Sequence, residues 1–456
     1  MLISFLMTLL PQANASTFYF SDIGVKGYAR AGAFIASVDD VTAQWYNPAA
    51  FTRVEKGMFG IQISYVHHNV SFTRASINDQ SFEEVLNNSK PTIIPHGGIA
   101  YRFKDLTAYV GFTSPYADYL TYPDDGPQRY SLIDSSVLQT FTGGVLAYKV
   151  NDWVSIGIGA SWNIMEIQQS RNISMYSSNA PDENEDAQYD VGFSLQARDD
   201  FGVAYNISTL IEPPDKKWAF ALMLQPPTYF EAEGSMEADF SDHFLYGTVI
   251  MDEVATDDSI TMDIHMPLIL RSGFAFRPDE NIEIELSVVW ENWSTLPNPL
   301  VVDNVDMNIE LSLSEEPEVI EGPIEIPNGY RDTFSVRLGG DWSATPKLQL
   351  RSGVLFEQGG IPTASINVSS IDQDKIGYGL GGSYIFTDSF SMDVGFFQSF
   401  FGTWTIEDSS ISRLAAEIDL SDFDNIEVNL IEDRVVGNGT YSSNVFYGGL
   451  SGTYTF

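Results

Sequence analysis

The chain has no cysteine. That absence excludes a disulfide framework, a thiolate metal site and a thiol nucleophile. It is poor in base: 23 Lys and Arg stand against 62 Asp and Glu, a formal net charge of −39 over 456 residues. Nucleic acid is excluded as a partner, because phosphate binding needs a basic footprint. Beyond the opening residues, no apolar run approaches the ~20 residues of a membrane-spanning helix. A chain of this kind that enters a membrane must do so as a closed barrel, since only helices and barrels pair every backbone group in lipid. Histidine is scarce, five residues in all. His67 and His68 are adjacent on a predicted strand, so they face opposite ways and cannot share a metal. Neither a Gly-x-Ser-x-Gly elbow nor an HExxH helix is present. No enzyme activity, cofactor or metal site is expected.

What is present is alternation. The opening MLISFLMTLLPQANA is apolar and ends in Ala13-Asn14-Ala15. Residues 1–15 read as a secretory signal cleaved after Ala15, although no Lys or Arg precedes the run. From Met58 onward, apolar and polar residues alternate with period two, the pattern of strands with one apolar face. Leu348, Leu350, Val354 and Phe356 oppose Gln349, Arg351 and Gly353; at the C-terminus Phe446, Leu450, Tyr454 and Phe456 oppose Ser451, Thr453 and Thr455. Fourteen such segments lie near 58–74, 93–104, 106–116, 136–149, 153–172, 199–211, 217–232, 259–277, 282–295, 331–343, 347–358, 374–386, 390–405 and 439–456. Short polar turns such as Val150-Asn151-Asp152 and Thr387-Asp388-Ser389 alternate strictly with long connections. That rhythm is the layout of an outer-membrane barrel, short turns on the periplasmic side and long loops outside. Aromatic strand ends, Tyr101 with Phe103 and Trp290 with Trp293, suit the girdles at the membrane interfaces.

The expected fold is therefore an all-β transmembrane barrel over residues 58–456, fourteen antiparallel strands in all. Its lumen would be too wide for inward side chains alone to fill. Residues 16–57 are expected to plug it as a hatch of short helices. Asp39 and Asp40 are placed to start a helix, and Pro48 bars helix at Asn47.

The run Gly24-x-x-Gly27-x-Ala29-Arg30-Ala31-Gly32-Ala33-x-x-Ala36-x-x-Asp39-Asp40-x-x-Ala43-x-Trp45-Tyr46-Asn47-Pro48-Ala49 resembles the hatch of the long-chain fatty acid transporter (FadL) family of outer-membrane proteins. Val110-Gly111-Phe112-Thr113-Ser114-Pro115-Tyr116 is similar to the family's third strand and its kink. Trp290-Glu291-Asn292-Trp293-Ser294 looks like the end of the ninth, and Ile371-Asp372-Gln373-Asp374-Lys375 like the lead-in to the twelfth. The resemblance covers essentially the whole chain. It implies inward transport of hydrophobic compounds, long-chain fatty acids or aromatic hydrocarbons. Cargo would be captured between outer loops, pass to a lumenal pocket near the hatch N-terminus, and leave sideways at the third-strand kink. Burial of apolar surface at about 25 cal/mol per Å2 supplies the attraction.

Carried over residue by residue, the resemblance places Gly32, Asp39, Asp40, Asn47, Pro48 and Ala49 in the hatch, and Gly111, Thr113, Ser114 and Pro115 at the lateral opening. Pro115 has no N–H and removes a ladder bond; the plainer reading is that it ends the strand at its rim. Phe18 and Phe20 would cap the ligand pocket, or else belong to a tail. By parity Arg102, Arg271, Arg337, Arg351 and Lys375 face the lumen. Arg271, Arg337, Arg351 and Lys375 are the candidates for holding a fatty acid carboxylate. The default is that they pair with hatch carboxylates such as Asp39 and Asp40, and if all do, a neutral hydrocarbon becomes the better cargo. Further expected partners are outer-membrane lipid and, through the strand ending at Phe456, the outer-membrane assembly machinery; a monomer is expected. A rival is an adhesion or structural barrel whose acidic loop, with Glu310, Glu315, Glu316, Glu318, Glu321 and Glu325, binds Ca2+ weakly. Another is an aqueous porin, against which the hatch argues.

Overall fold

The computed structural model describes residues 22–77, 80–179, 181–310, 312, 318–326, 329–419 and 427–456. Fourteen long strands form one closed antiparallel barrel. They are β1 Gly57–Arg74, β2 Thr92–Phe103, β3 Leu106–Thr121, β4 Asp134–Lys149, β5 Val154–Ser177 and β6 Asp190–Ile211. Strand β7 comes in two pieces, Trp218–Gln225 and Thr228–Asp239, as does β8, Val254–Met266 and Ile269–Asp279. Then follow β9 Ile282–Glu291, β10 Thr333–Thr345, β11 Leu348–Glu357, β12 Lys375–Thr387, β13 Phe390–Ile406 and β14 Gly439–Thr455. Strand β14 pairs back onto β1 from Met58–Thr455 to Arg74–Gly439, which closes the cylinder.

Polarity runs opposite to that of a water-soluble sheet protein. In β1, Phe59, Ile61, Ile63 and Tyr65 are exposed on the outer face, while Gln62 and Ser64 are buried inside. Strands with apolar residues outward and polar residues inward are what lipid selects. Tyr101, Phe103, Tyr148 and Trp153 are exposed near the short turns, and Trp162, Phe201 and Tyr229 higher up. Above that upper ring, the outward residues of β7 turn acidic: Glu231, Glu233, Glu237 and Asp239.

Several sequence expectations need correction. The third strand does not end at residue 116; β3 runs through Pro115 to Thr121. Strands β6, β7 and β8 reach well beyond 199, 232 and 259, because their outer parts stand above the apolar band and carry charge on their outer face. Trp293 is not a girdle residue: it sits in a 3-10 turn after β9, is 1% exposed, and its indole donates to the Glu291 carboxylate at 2.8 Å. Beyond the barrel, the stretch predicted as a loop over 406–438 holds a hairpin, Ser412–Asp419 with Glu427–Val435, whose first strand pairs in parallel with the end of β5.

Between residues 22 and 54 only Asp39 is exposed. This segment contains α1 Val25–Ala29, α2 Ala43–Tyr46 and a 3-10 helix Pro48–Arg53. It meets inward-facing groups on every side of the barrel. The Val25 N–H donates to Gln62 of β1 at 2.9 Å, Ala49 N–H to Ser208 of β6 at 2.8 Å, and Arg30 to Asp341 of β10 at 2.7 Å. Asp39 and Asp40 do not start α2. The helix begins at Ala43, and Asp40 instead accepts from the Thr42 N–H at 2.8 Å and from Gln62 at 3.1 Å.

Candidate functional site

The stretch Trp45-Tyr46-Asn47-Pro48-Ala49 sets the geometry of the N-terminal segment. Asn47 is extended, with φ −164° and ψ 92°, and ends α2. Its Oδ1 accepts from the Ala49 N–H at 3.2 Å, which caps the 3-10 helix. Its Nδ2 donates to the Ile35 carbonyl at 3.2 Å and ties the segment to itself. Pro48 takes the first helical position, where a missing N–H costs nothing. The backbone of Pro48 and Ala49 presses on Gly157 of β5 so closely that a Cβ there would lie 2.4 Å from the Ala49 nitrogen. Gly32 has φ +77° and lies against the Asp22 carboxylate, so any side chain there would be strained.

Asn47 and Pro48 thereby aim Trp45 at the barrel wall. Its ring meets Tyr116 of β3 at 6.2 Å and Phe141 of β4 at 5.8 Å, both edge-on, and those two stack at 6.1 Å. The Arg271 guanidinium of β8 lies over the Trp45 ring at 4.4 Å. This aromatic cluster faces the irregular part of β3.

The β2–β3 ladder runs from Phe103–Leu106 to Gly97–Phe112 and stops there. On the other side the β3–β4 register slips between Thr113 and Tyr116, so that Ser114 and Pro115 share one opposing residue, Thr140. That is a β-bulge with a proline in it. Gly111 is required at the last turn of the ladder, since a Cβ would strike the Tyr109 hydroxyl at 1.9 Å and the Gly97 carbonyl at 2.4 Å. Side chains replace the missing backbone bonds. His96 Nδ1 lies 2.6 Å from Thr113 Oγ1 at the lower edge. Across the interior, His68 of β1 bridges Asp118 of β3 and Ser443 of β14, at 3.0 Å to each. At the top Asn87 splices the wall: its Nδ2 donates to the His68 carbonyl at 2.6 Å, and its Oδ1 accepts from Thr121 at 3.0 Å.

The lumenal cations are buried among carboxylates. Arg337 lies 3.3 Å from Asp22 and 3.4 Å from Glu357. Arg351 lies 2.9 Å from Asp341 and 3.5 Å from Asp393. Lys375 is 2.8 Å from both Glu357 and Asp372. Arg102 turns to the carbonyls of Thr52 and Val54, at 3.1 and 3.3 Å. The expected pairing with carboxylates of the N-terminal segment holds for Arg337 with Asp22 but not with the named Asp39 and Asp40: Asp39 binds Lys26 of its own segment at 2.8 Å, and the barrel supplies the other acids itself. The reason is reach, because the register already sets each arginine beside an acid two strands away or nearer. Phe18 and Phe20 lie outside the described residues, as do Glu315 and Glu316 of the acidic loop.

Residues that sequence reasoning did not reach include Glu285, His68 with Asp118, and Asn87. Glu285 of β9 accepts from the N–H groups of Ile35, Ala36 and Ser37 at 2.6, 3.0 and 2.9 Å. Only its inward parity beside Arg30 carried a hint, since the contacts join residues about 250 positions apart.

The family model described as outer membrane protein transport protein (OMPP1/FadL/TodX) matches residues 6–432. Outer membrane protein P1 of Haemophilus influenzae is 22% identical over 420 residues, 84% of this chain and 86% of that protein. Among solved structures, a FadL homologue of Pseudomonas aeruginosa superposes with TM-score 0.71 at 15% identity, covering 96% of this chain and 99% of that one. The toluene transporter TodX of Pseudomonas putida superposes with TM-score 0.66 at 13% identity, covering 96% and 100%. These two likenesses show the fold.

Proposed function

The chain belongs to the OMPP1/FadL/TodX family of outer membrane transport proteins, and from that premise we propose that it carries hydrophobic compounds inward across the outer membrane. Residues 22–54 act as a hatch, with Gly32, Asp39, Asp40, Asn47, Pro48 and Ala49 holding its shape. Cargo is taken up between the outer loops, rests in the lumen, and leaves sideways past Gly111, Thr113, Ser114 and Pro115. The observation that carries this reading is the seating of Trp45 on Tyr116 and Phe141, directly beside the stretch of β3 that has no ladder to β2. A moving hatch there would change the packing of the wall opening itself.

Long-chain fatty acid is the first cargo reading, with Arg271, Arg337, Arg351 and Lys375 as its candidate carboxylate contacts. A neutral aromatic hydrocarbon is the second, and one observation favours it. Arg337, Arg351 and Lys375 each already stand beside two carboxylates. An incoming carboxylate would have to displace one of them, at the cost of a buried unpaired charge.

The test is uptake of labelled oleic acid and labelled toluene by cells lacking their own carrier, with and without this protein. Oleic acid uptake that falls in Arg271→Ala supports the first reading. Toluene uptake alone supports the second. Uptake of neither overturns both.

A further inference from the structure

The barrel wall has a second interruption, on the far side of the cluster around Trp45. Strand β6 pairs with β7 below, from Ile211–Phe220 to Ile207–Leu224, and above, from Arg198–Glu233 to Gly192–Asp239. Between these stretches, residues 199–206 and 225–232 make no ladder pair with one another. Pro226 and Pro227 supply no N–H on the β7 side. On the β6 side the register to β5 slips between Asn163 and Met165, which throws Asp200 and Phe201 outward. Phe201 is 77% exposed and Tyr229 60%, both at the upper aromatic ring.

Side chains again close the wall. The Phe230 ring packs against Gly202 so tightly that a Cβ there would lie 2.2 Å from it. The Glu231 N–H donates to Asp199 at 2.9 Å, in place of a ladder bond. Two polar atoms at this place, Asn206 Oδ1 and Thr228 Oγ1, are buried without a hydrogen-bond partner among the described residues. A small cavity of about 30 Å3 lies between the two interruptions, lined by Gln44 and Trp45 of the N-terminal segment, by Thr113 and Phe141, and by Asn206 and Gln225. Both interruptions begin a few residues above the short-turn ends of their strands, at Phe112 of β3 and at Asn206 of β6.

We infer that the β6–β7 interruption is a second lateral port, with Phe230 as its door, through which small apolar molecules pass between the lumen beside Trp45 and the bilayer. The inference rests on the lateral-exit reading above and adds a route to it. The physical argument is that a wall without backbone bonds yields where rings and small residues fill it. Opening here costs the contacts of one phenyl ring and one side-chain bond rather than a run of ladder bonds.

Because the chain has no cysteine, each opening can be locked on its own. The His96→Cys/Thr113→Cys pair locks the β3 opening, and Asn206→Cys/Gln225→Cys locks the second. Uptake of labelled toluene and labelled oleic acid is measured with the pairs oxidised and again after reduction, with folding checked by heat-modifiable migration in gels. The expected result is partial loss with the first lock, loss of the remainder with both, and recovery on reduction. Phe230→Ala in the first-locked protein should raise uptake above that of the first lock alone. If the first lock abolishes uptake and Phe230→Ala recovers none of it, the second port is refuted and the exit at β3 stands. Full uptake with both locks closed overturns lateral exit altogether, and no uptake by the parent protein overturns the proposed function itself.

Discussion

Glu285 binds three successive backbone N–H groups and the Ser287 hydroxyl, the latter at 2.7 Å. A buried donor left without its acceptor costs about 1–3 kcal/mol. Glu285→Ala is therefore expected to leave the barrel folded and loosen residues 22–54. In planar bilayers the parent protein should pass little steady current and the variant a clear one; equal traces would remove Glu285 as the anchor. Asn47→Ala loses a helix cap, worth about 1 kcal/mol, and the tie to Ile35. Uptake should fall with unchanged heat-modifiable migration, and unchanged uptake would take Asn47 out of the mechanism. The two residues differ in how readable they are. An Asn-Pro step announces a turn by its own chemistry, whereas Glu285 gains its role from partners that only the closed barrel brings near.

At the scale of the strand, β3 carries the clearest expectation. Replacing Ser114-Pro115 with Val-Thr returns an N–H to the wall. Uptake through that opening should fall, and survival of full uptake in a folded variant would separate the missing N–H from transport. Asn87→Ala should quicken amide hydrogen exchange at Thr121, whose N–H bonds to the Asn87 side chain; unchanged exchange would mean the wall above the opening is held elsewhere. The lower halves of the strands were legible because lipid forces strict alternation on them. The upper parts of β6, β7 and β8 were not, since alternation there is inverted: Phe193, Leu195, Phe230, Met236 and Ile260 turn inward into the core, and the outward residues, standing above the lipid, are no longer apolar. The breaks at Pro226-Pro227 and at Pro267 hid inside segments that read as continuous, because a two-residue gap does not disturb the count of turns.

For the molecule as a whole, closure depends on β14 meeting β1 along its full length. Removal of Phe456 takes away the last exposed aromatic of that seam. Less protein should then reach the outer membrane, while any that does should migrate as folded; normal levels would show that assembly does not read the terminal residue. The fourteen-strand count and the buried N-terminal segment followed from the rhythm of turns and the width of the lumen. What the rhythm could not give was the angular position of one strand relative to another across the interior, and so the meeting of Trp45 with Tyr116, Phe141 and Arg271.

The outward acids above the upper ring, Glu231, Glu233, Glu237 and Asp239 on β7 alone, give the mouth of the barrel a negative field. A fatty acid anion approaches against its own sign, and toluene feels nothing. The field reaches about 10 Å at 0.1 M salt and shrinks as salt rises. Raising ionic strength should thus speed the capture of the anion and leave the hydrocarbon's rate where it was. The rim would then sort cargo by arrival rate before any side chain in the lumen sorts it by affinity.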